Sequence, residues 1–203
     1  SYRACIAGVL AGFGQAVSRA EIARAKAAGG ANDDWELTRR LLAERGVDAS
    51  LAEVTARFQD LYLGRDGVEG LCARETLIPP RDVLARLAAR VPLGIVTGRP
   101  AADAMRFLSR FGLADLFGAV VTRDDGPPKP DPTPVREALA RLGVSRAWFV
   151  GDTPDDVNAA RAAGALPLGV RPPAAADDTG DALAAAGAVR ILTDLAELED
   201  LLP

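Results

Sequence analysis

The sequence predicts an α/β fold, a doubly wound parallel (Rossmann-like) sheet carrying a helical cap domain. Three observations lead there. From about Leu77 onward, short apolar runs alternate with helix-period segments, the rhythm of a parallel sheet with crossover helices. Those runs lack polar alternation, as strands covered on both faces do. Before them, residues 1 to about 68 hold capped amphipathic helices and no strand signal. The predicted boundaries are a cap over 1–75 and a core over 76–203.

In the cap, Tyr2, Ile6, Val9 or Leu10, and Phe13 recur at helical spacing. Ser18 with Glu21 forms a capping box for a helix to about Ala28. Asn32-Asp33-Asp34 offers caps for a third helix with Trp35, Leu37, Leu41 and Leu42 on its apolar side. Ser50 with Glu53 starts a fourth. In the core, helices are expected over 81–90, 101–111 and 133–142, near 182, and from 194. Strands are expected over 93–96, 119–121, 147–150, 166–170 and 189–192. The segment 171–180, rich in Pro, Ala and Asp, reads as a surface loop or linker.

Composition narrows the function classes. The chain has no histidine, which removes Ser-His-Asp hydrolysis and histidine zinc sites. Its formal charge is −4 with no basic stripe, so nucleic acid is not an expected partner. No apolar run reaches the ~18 residues of a membrane span, and no membrane partner is expected. Cys5 and Cys72 lack disulfide or zinc spacing and read as small buried residues of a cytoplasmic protein. Of 24 basic residues only Lys26 and Lys129 are lysine, which suggests lysine was kept where a compact ammonium is needed.

The chemistry-bearing residues lie at predicted strand ends. The strand Ala147–Val150 breaks at Gly151, and Asp152 follows at the carboxyl edge, where open α/β sheets bind ligands. Thr153 then caps a helix with Pro154 in its first turn. A carboxylate at that edge suits a hard cation such as Mg²⁺; Asp155 and Asp156 alone could serve the helix dipole. Thr97-Gly98 ends another strand before Pro100 and offers a hydroxyl and free amides to a phosphate, although such a pair is also ordinary turn chemistry. Lys129 sits in Pro127-Pro128-Lys129-Pro130-Asp131-Pro132, a loop stiff enough to hold an ammonium in advance of a substrate. In the cap, Lys26, Asn32 and Trp35 are candidate substrate-reading groups, or else parts of a plain helix–helix turn.

The order Ile95-Val96-Thr97-Gly98, Lys129-Pro130 and Gly151-Asp152-Thr153-Pro154-Asp155-Asp156 resembles motifs II, III and IV of the haloacid dehalogenase superfamily. The helical module resembles the inserted cap of its phosphoglycolate-phosphatase-like branch. The resemblance implies a phosphatase acting on a small phosphorylated metabolite through an aspartyl-phosphate. Thr97 and Gly98 would bind the phosphoryl group, Lys129 would pair with it and with the nucleophile, and Asp152 would hold Mg²⁺. Asp156 would meet the metal directly or one ligand layer further out. Self-association into a homo-oligomer is left open.

One part of the pattern is absent: the Asp-x-Asp-Gly-Thr motif that supplies nucleophile and general acid. Asp124-Asp125-Gly126 falls in the Lys129 loop, and Asp177-Asp178-Thr179-Gly180-Asp181 follows no strand. The motif is expected about 10 to 25 residues upstream of Ser1, on a central strand between the Leu93 and Trp148 strands. Rival readings are an inactive binding or regulatory relative, a phosphoacceptor receiver domain, and dehalogenase or phosphomutase chemistry within the same superfamily.

Overall fold

The computed structural model describes residues 1–171 and 178–202. Most of the expected loop 171–180 therefore lies outside the described residues. The chain divides into two compact units, Ser1–Thr76 and Leu77–Pro203.

The first unit is a helical cap of four helices, α1 (Tyr2–Gly12), α2 (Arg19–Ala27), α3 (Asp34–Ala43) and α4 (Leu51–Leu63). Each start after the first has its own chemical cause. Ser18 Oγ accepts from Glu21 N–H at 3.1 Å while Glu21 Oε2 accepts from Ser18 N–H at 2.8 Å, a closed capping box. Asp33 Oδ1 accepts from the amides of Trp35 and Glu36. Ser50 Oγ accepts from Glu53 N–H at 3.2 Å. The apolar sides meet in one cluster that includes Ile6, Leu10, Ile22, Leu37, Leu42, Val54 and Phe58, all buried. Each such side chain contributes about 1.5–3 kcal/mol by leaving water.

After α4 the structure departs from the all-helical expectation. Gly64–Arg65 (β1) and Val68–Glu69 (β2) pair antiparallel, and a 3₁₀ turn follows at Leu71–Arg74. Asp66 (φ 53°) and Gly67 (φ 82°) both have positive φ, as a type I′ hairpin turn requires. The Asp-Gly pair was the available signal; two-residue strands are too short to alternate, so periodicity alone misses them. A Cβ on Gly64 would lie 2.2 Å from Val68 O, and one on Gly70 would lie 2.2 Å from Leu63 C. Only glycine permits that fold-back.

The second unit is the α/β core. Its elements run α5 (Arg81–Ala88), β3 (Gly94–Val96), α6 (Ala101–Arg110), β4 (Ala119–Val121), α7 (Thr133–Leu142) and β5 (Trp148–Gly151). There follow α8 (Pro154–Ala163), β6 (Leu166–Val170), α9 (Thr179–Ala186), β7 (Arg190–Leu192) and α10 (Glu197–Leu201). β3 pairs parallel with β4, and β5, β6 and β7 form a second parallel ladder in that order. Among the described residues, nothing pairs with the other edge of β3 or of β5.

Between those two edges lies a cleft of about 870 Å³, with Ile95, Val96, Phe149 and Val150 on its strand sides and Val135, Leu139, Leu198 and Leu202 among its helical walls. This corrects one expectation. Ala147–Val150 reads as a fully buried strand, yet Trp148 is 39% exposed and Phe149 and Val150 are only half-buried. Their faces are covered by helices, but their outer edge opens onto the cleft. No helix among the described residues is long and apolar enough to cross a membrane.

Candidate active site at the carboxyl ends of β3 and β5

The site is assembled from the ends of β3 and β5 and the loop after β4. Thr97 leaves β3 with its N–H donating to Val121 O at 2.9 Å, so the pairing with β4 holds one residue past the strand. Thr97 Oγ1 accepts from Arg99 N–H at 3.2 Å. That ties the hydroxyl into a turn and leaves its own proton available to an anionic oxygen. Gly98 lies within this turn, and Pro100 precedes α6.

Lys129 reaches from the loop after β4 to two other elements of the core. Its Nζ lies 2.5 Å from Asp156 Oδ1 and 3.5 Å from Val96 O, touching the end of β3 and the first turn of α8 at once. It also sits 5.8 Å from the centre of the Phe149 ring. The two side chains of the pair are 9% and 6% exposed, so water does little to screen them. A loop carrying four prolines limits how far that ammonium can stray.

Asp156 is the most heavily bonded carboxylate in the site. Its Oδ2 accepts from Asp152 N–H at 3.2 Å, Thr153 N–H at 3.1 Å and Thr153 Oγ1 at 2.7 Å, and its Oδ1 takes Lys129. The turn closes this tightly because residue 151 is glycine: a Cβ there would lie 2.1 Å from Asp156 Cβ. Asp152 itself is exposed at the strand edge, whereas Asp155 is buried. The predicted residues at the three strand ends thus gather within one unit, with Thr97 directly after the Val96 carbonyl that Lys129 touches.

The donors fit a hard cation only in part. Asp152 and Asp156 are oxygen ligands of the type Mg²⁺ takes, usually one or two carboxylates with water and phosphate. Asp156, however, already accepts four protein donors, and no three acidic, His or Cys side chains are placed to hold a metal ion among the described residues.

In the helical unit, Lys26 Nζ pairs with Asp34 Oδ1 at 2.7 Å and lies 3.4 Å from Ala31 O. Trp35 packs edge-on to Phe58, with ring centres 6.4 Å apart. Lys26 thus ties α2 to α3, and Trp35 packs α3 against α4. Asn32 lies in the same turn, half-buried.

Sequence reasoning passed over the 3₁₀ turn Arg123–Asp125 after β4. Asp125 Oδ2 accepts from Thr122 N–H and Oγ1, both at 2.7 Å, and Oδ1 accepts from Arg141 Nη2 at 2.7 Å. The Arg141 guanidinium and the Thr122 donors hold the Asp125 carboxyl down at a pKa of about 2. A Thr three residues before an Asp was the visible capping-box signal.

The chain is similar in sequence and fold to several known proteins. Residues 80–170 match the family described as haloacid dehalogenase-like hydrolase. Over its whole length the chain is 42% identical to 49% of a Phytophthora nicotianae protein named imidazoleglycerol-phosphate dehydratase. Over 59% of its length it is 40% identical to half of the Rhodospirillum rubrum phosphoglycolate phosphatase. The chain spans about half the length of the curated relatives it matches. A crystal structure from Haemophilus somnus, described as a predicted phosphoglycolate phosphatase, aligns with all of this chain and 90% of its own, at TM-score 0.76 and 21% identity. A Pseudomonas syringae hydrolase aligns with 98% of this chain and 89% of its own, at TM-score 0.74 and 20% identity. At those identities the likeness concerns the fold. Residues 80–170 thus carry the pattern of the haloacid dehalogenase-like hydrolase family, and the chain shares its fold with the Haemophilus somnus structure. Its sequence is similar to those of phosphoglycolate phosphatases over about two thirds of its length.

Proposed function

We propose that this chain supplies most of a Mg²⁺-dependent phosphatase acting on a small phosphorylated metabolite. The observation that carries the reading is the Lys129 ammonium, buried between Val96 O and Asp156, beside a cleft lined by Val96 and Phe149. Thr97 and Asp152 flank it on the same edge. A carboxylate arriving at the end of a strand in that cleft would meet Lys129 directly.

In this reading an aspartate on that strand attacks phosphorus, forming an aspartyl-phosphate as the ester P–O bond breaks. A neighbouring acid protonates the leaving oxygen, and water then hydrolyses the acyl-phosphate. Lys129, the Thr97 hydroxyl and the Gly98 amide hold the phosphoryl oxygens, where most of the rate enhancement arises. A bound Mg²⁺, held by Asp152 with help from Asp156, would add positive charge against those oxygens. Asp156 keeps Lys129 in place throughout. The cleft supports the missing strand as well: two unpaired strand edges would leave backbone groups without partners.

Substrate choice belongs to groups outside the phosphate cradle. Lys26, Asn32 and Trp35 remain the cap residues proposed for it. Several matched relatives are phosphoglycolate phosphatases, while a relative matched along the whole chain is named imidazoleglycerol-phosphate dehydratase. The test is phosphate release by the full-length protein from 2-phosphoglycolate and from imidazole-bearing phosphate esters, with and without Mg²⁺. Asp152→Ala should abolish metal-dependent turnover; full activity in that variant would remove its role. No release from any ester would leave the inactive binding protein as the better reading.

A further inference from the structure

The sequence pair Asp124-Asp125, rejected as a nucleophile motif, has a different place in the fold. It lies in the 3₁₀ turn Arg123–Asp125, directly after β4 and its buried Thr122. That turn bonds to one loop of the site and leads directly into the other. Toward the Thr97 loop, Arg123 N–H donates to Arg99 O at 3.1 Å, and Ala101 N–H donates to Asp124 Oδ2 at 2.8 Å. The loop between Thr97 and α6 is therefore pinned on both sides of Pro100. Toward the Lys129 loop, Asp125 is locked by Thr122 and by Arg141 Nη2. Arg141 is fixed in turn by Val120 O at 2.7 Å and Glu137 at 2.8 Å.

Only Gly126, Pro127 and Pro128 separate Asp125 from Lys129. Two of those three residues have φ set by the pyrrolidine ring, so where Asp125 is held largely determines where the Lys129 backbone begins. We propose that Asp124 and Asp125 are positioning residues, which together set the spacing between the Thr97 hydroxyl and the Lys129 ammonium. Asp124 registers the Thr97 loop and Asp125, through Arg141, registers the Lys129 loop, both against the end of β4. Neither carboxylate contacts substrate. The proposal rests on Thr97 and Lys129 being the phosphate-holding pair, but it can be read without any turnover.

The chain has two lysines, so labelling with [¹⁵Nζ]lysine, with signals assigned by Lys129→Arg and Lys26→Arg, gives a Lys129 signal and a Lys26 signal as an internal reference. In the full-length protein, Asp125→Asn should shift the Lys129 Nζ signal and speed exchange of its protons with water about tenfold, the scale of one lost hydrogen bond. The Lys26 signal should not move, and the conservative Asp125→Glu should restore part of the difference. Asp124→Ala, which removes the acceptor of Ala101 N–H, should leave Lys129 in place. It should instead weaken the phosphate-induced shift at Lys129 when inorganic phosphate is titrated in. If the enzyme turns over, both variants should lower kcat about tenfold with KM little changed. An Asp125→Asn protein whose Lys129 signal matches the parent would overturn the proposal, and so would equal movement of both lysine signals. Loss of turnover in every form, the parent included, would count against the phosphatase reading and leave the Lys129 result standing on its own.

Discussion

Lys129 Nζ and Asp156 Oδ1 are 2.5 Å apart with their side chains 9% and 6% exposed. Breaking such a pair from one side leaves an uncompensated buried charge, at a cost of about 3–5 kcal/mol. Lys129→Met should therefore lower unfolding free energy by roughly that amount in a denaturant titration. Lys129→Met combined with Asp156→Asn should cost less than the sum of the two single changes. Strict additivity would mean the two groups do not interact in solution.

Gly151 is a matter of space. A methyl group there would lie 2.1 Å from Asp156 Cβ, and the neighbour is the first turn of a helix, which cannot swing aside. Gly151→Ala should destabilise by about 1–3 kcal/mol and should also loosen Lys129. A thermal melt unchanged by this substitution would contradict the described turn.

Acid sensitivity follows from Asp125. Its pKa is lowered from 3.8 to about 2 in the folded chain. A depressed carboxyl stabilises the fold above its unfolded pKa and loses that contribution as pH falls through the folded one. Stability should thus drop between about pH 4 and pH 2, and Arg141→Met should flatten that part of the profile. A profile identical in the variant would assign the acid loss to other carboxyls.

The cleft predicts an optical signal. Trp148 lines it and is 39% exposed. A synthetic extended peptide, apolar on both faces and ending in Asp, should blue-shift tryptophan emission if it occupies the cleft. A peptide of the same composition broken by a central proline should not, because proline cannot complete a ladder. Equal responses to both would mean that the cleft is not a strand site.

Much of this was legible in the sequence because it is local. Ser18, Asp33 and Thr153 mark helix starts by bonds that span two or three residues, Pro154 marks one by needing no amide partner, and the β3, β4 and β6 runs are apolar enough to read directly. The hairpin after α4 was missed because two residues cannot show a period; its Asp66-Gly67 turn was readable. The bonds of Asp156 to Lys129, and of Asp125 to Arg141, join residues 27 and 16 positions apart. No spacing rule reports such pairs before the chain has folded. The half-exposure of Phe149 and Val150 depends on an edge that belongs to no single stretch of sequence.

The arginine bias has a structural use of its own. Arg81 donates to Gly112 O, Arg90 to Glu199 O and Leu202 O, Arg136 to Ala162 O, and Arg161 to Ala186 O. Each guanidinium fastens the trailing end of a neighbouring helix, where carbonyls lack partners of their own. A wholesale exchange of arginine for lysine would keep the net charge while trading a flat, multi-pronged donor for a single point. Solubility should survive such an exchange far better than the seams between helices.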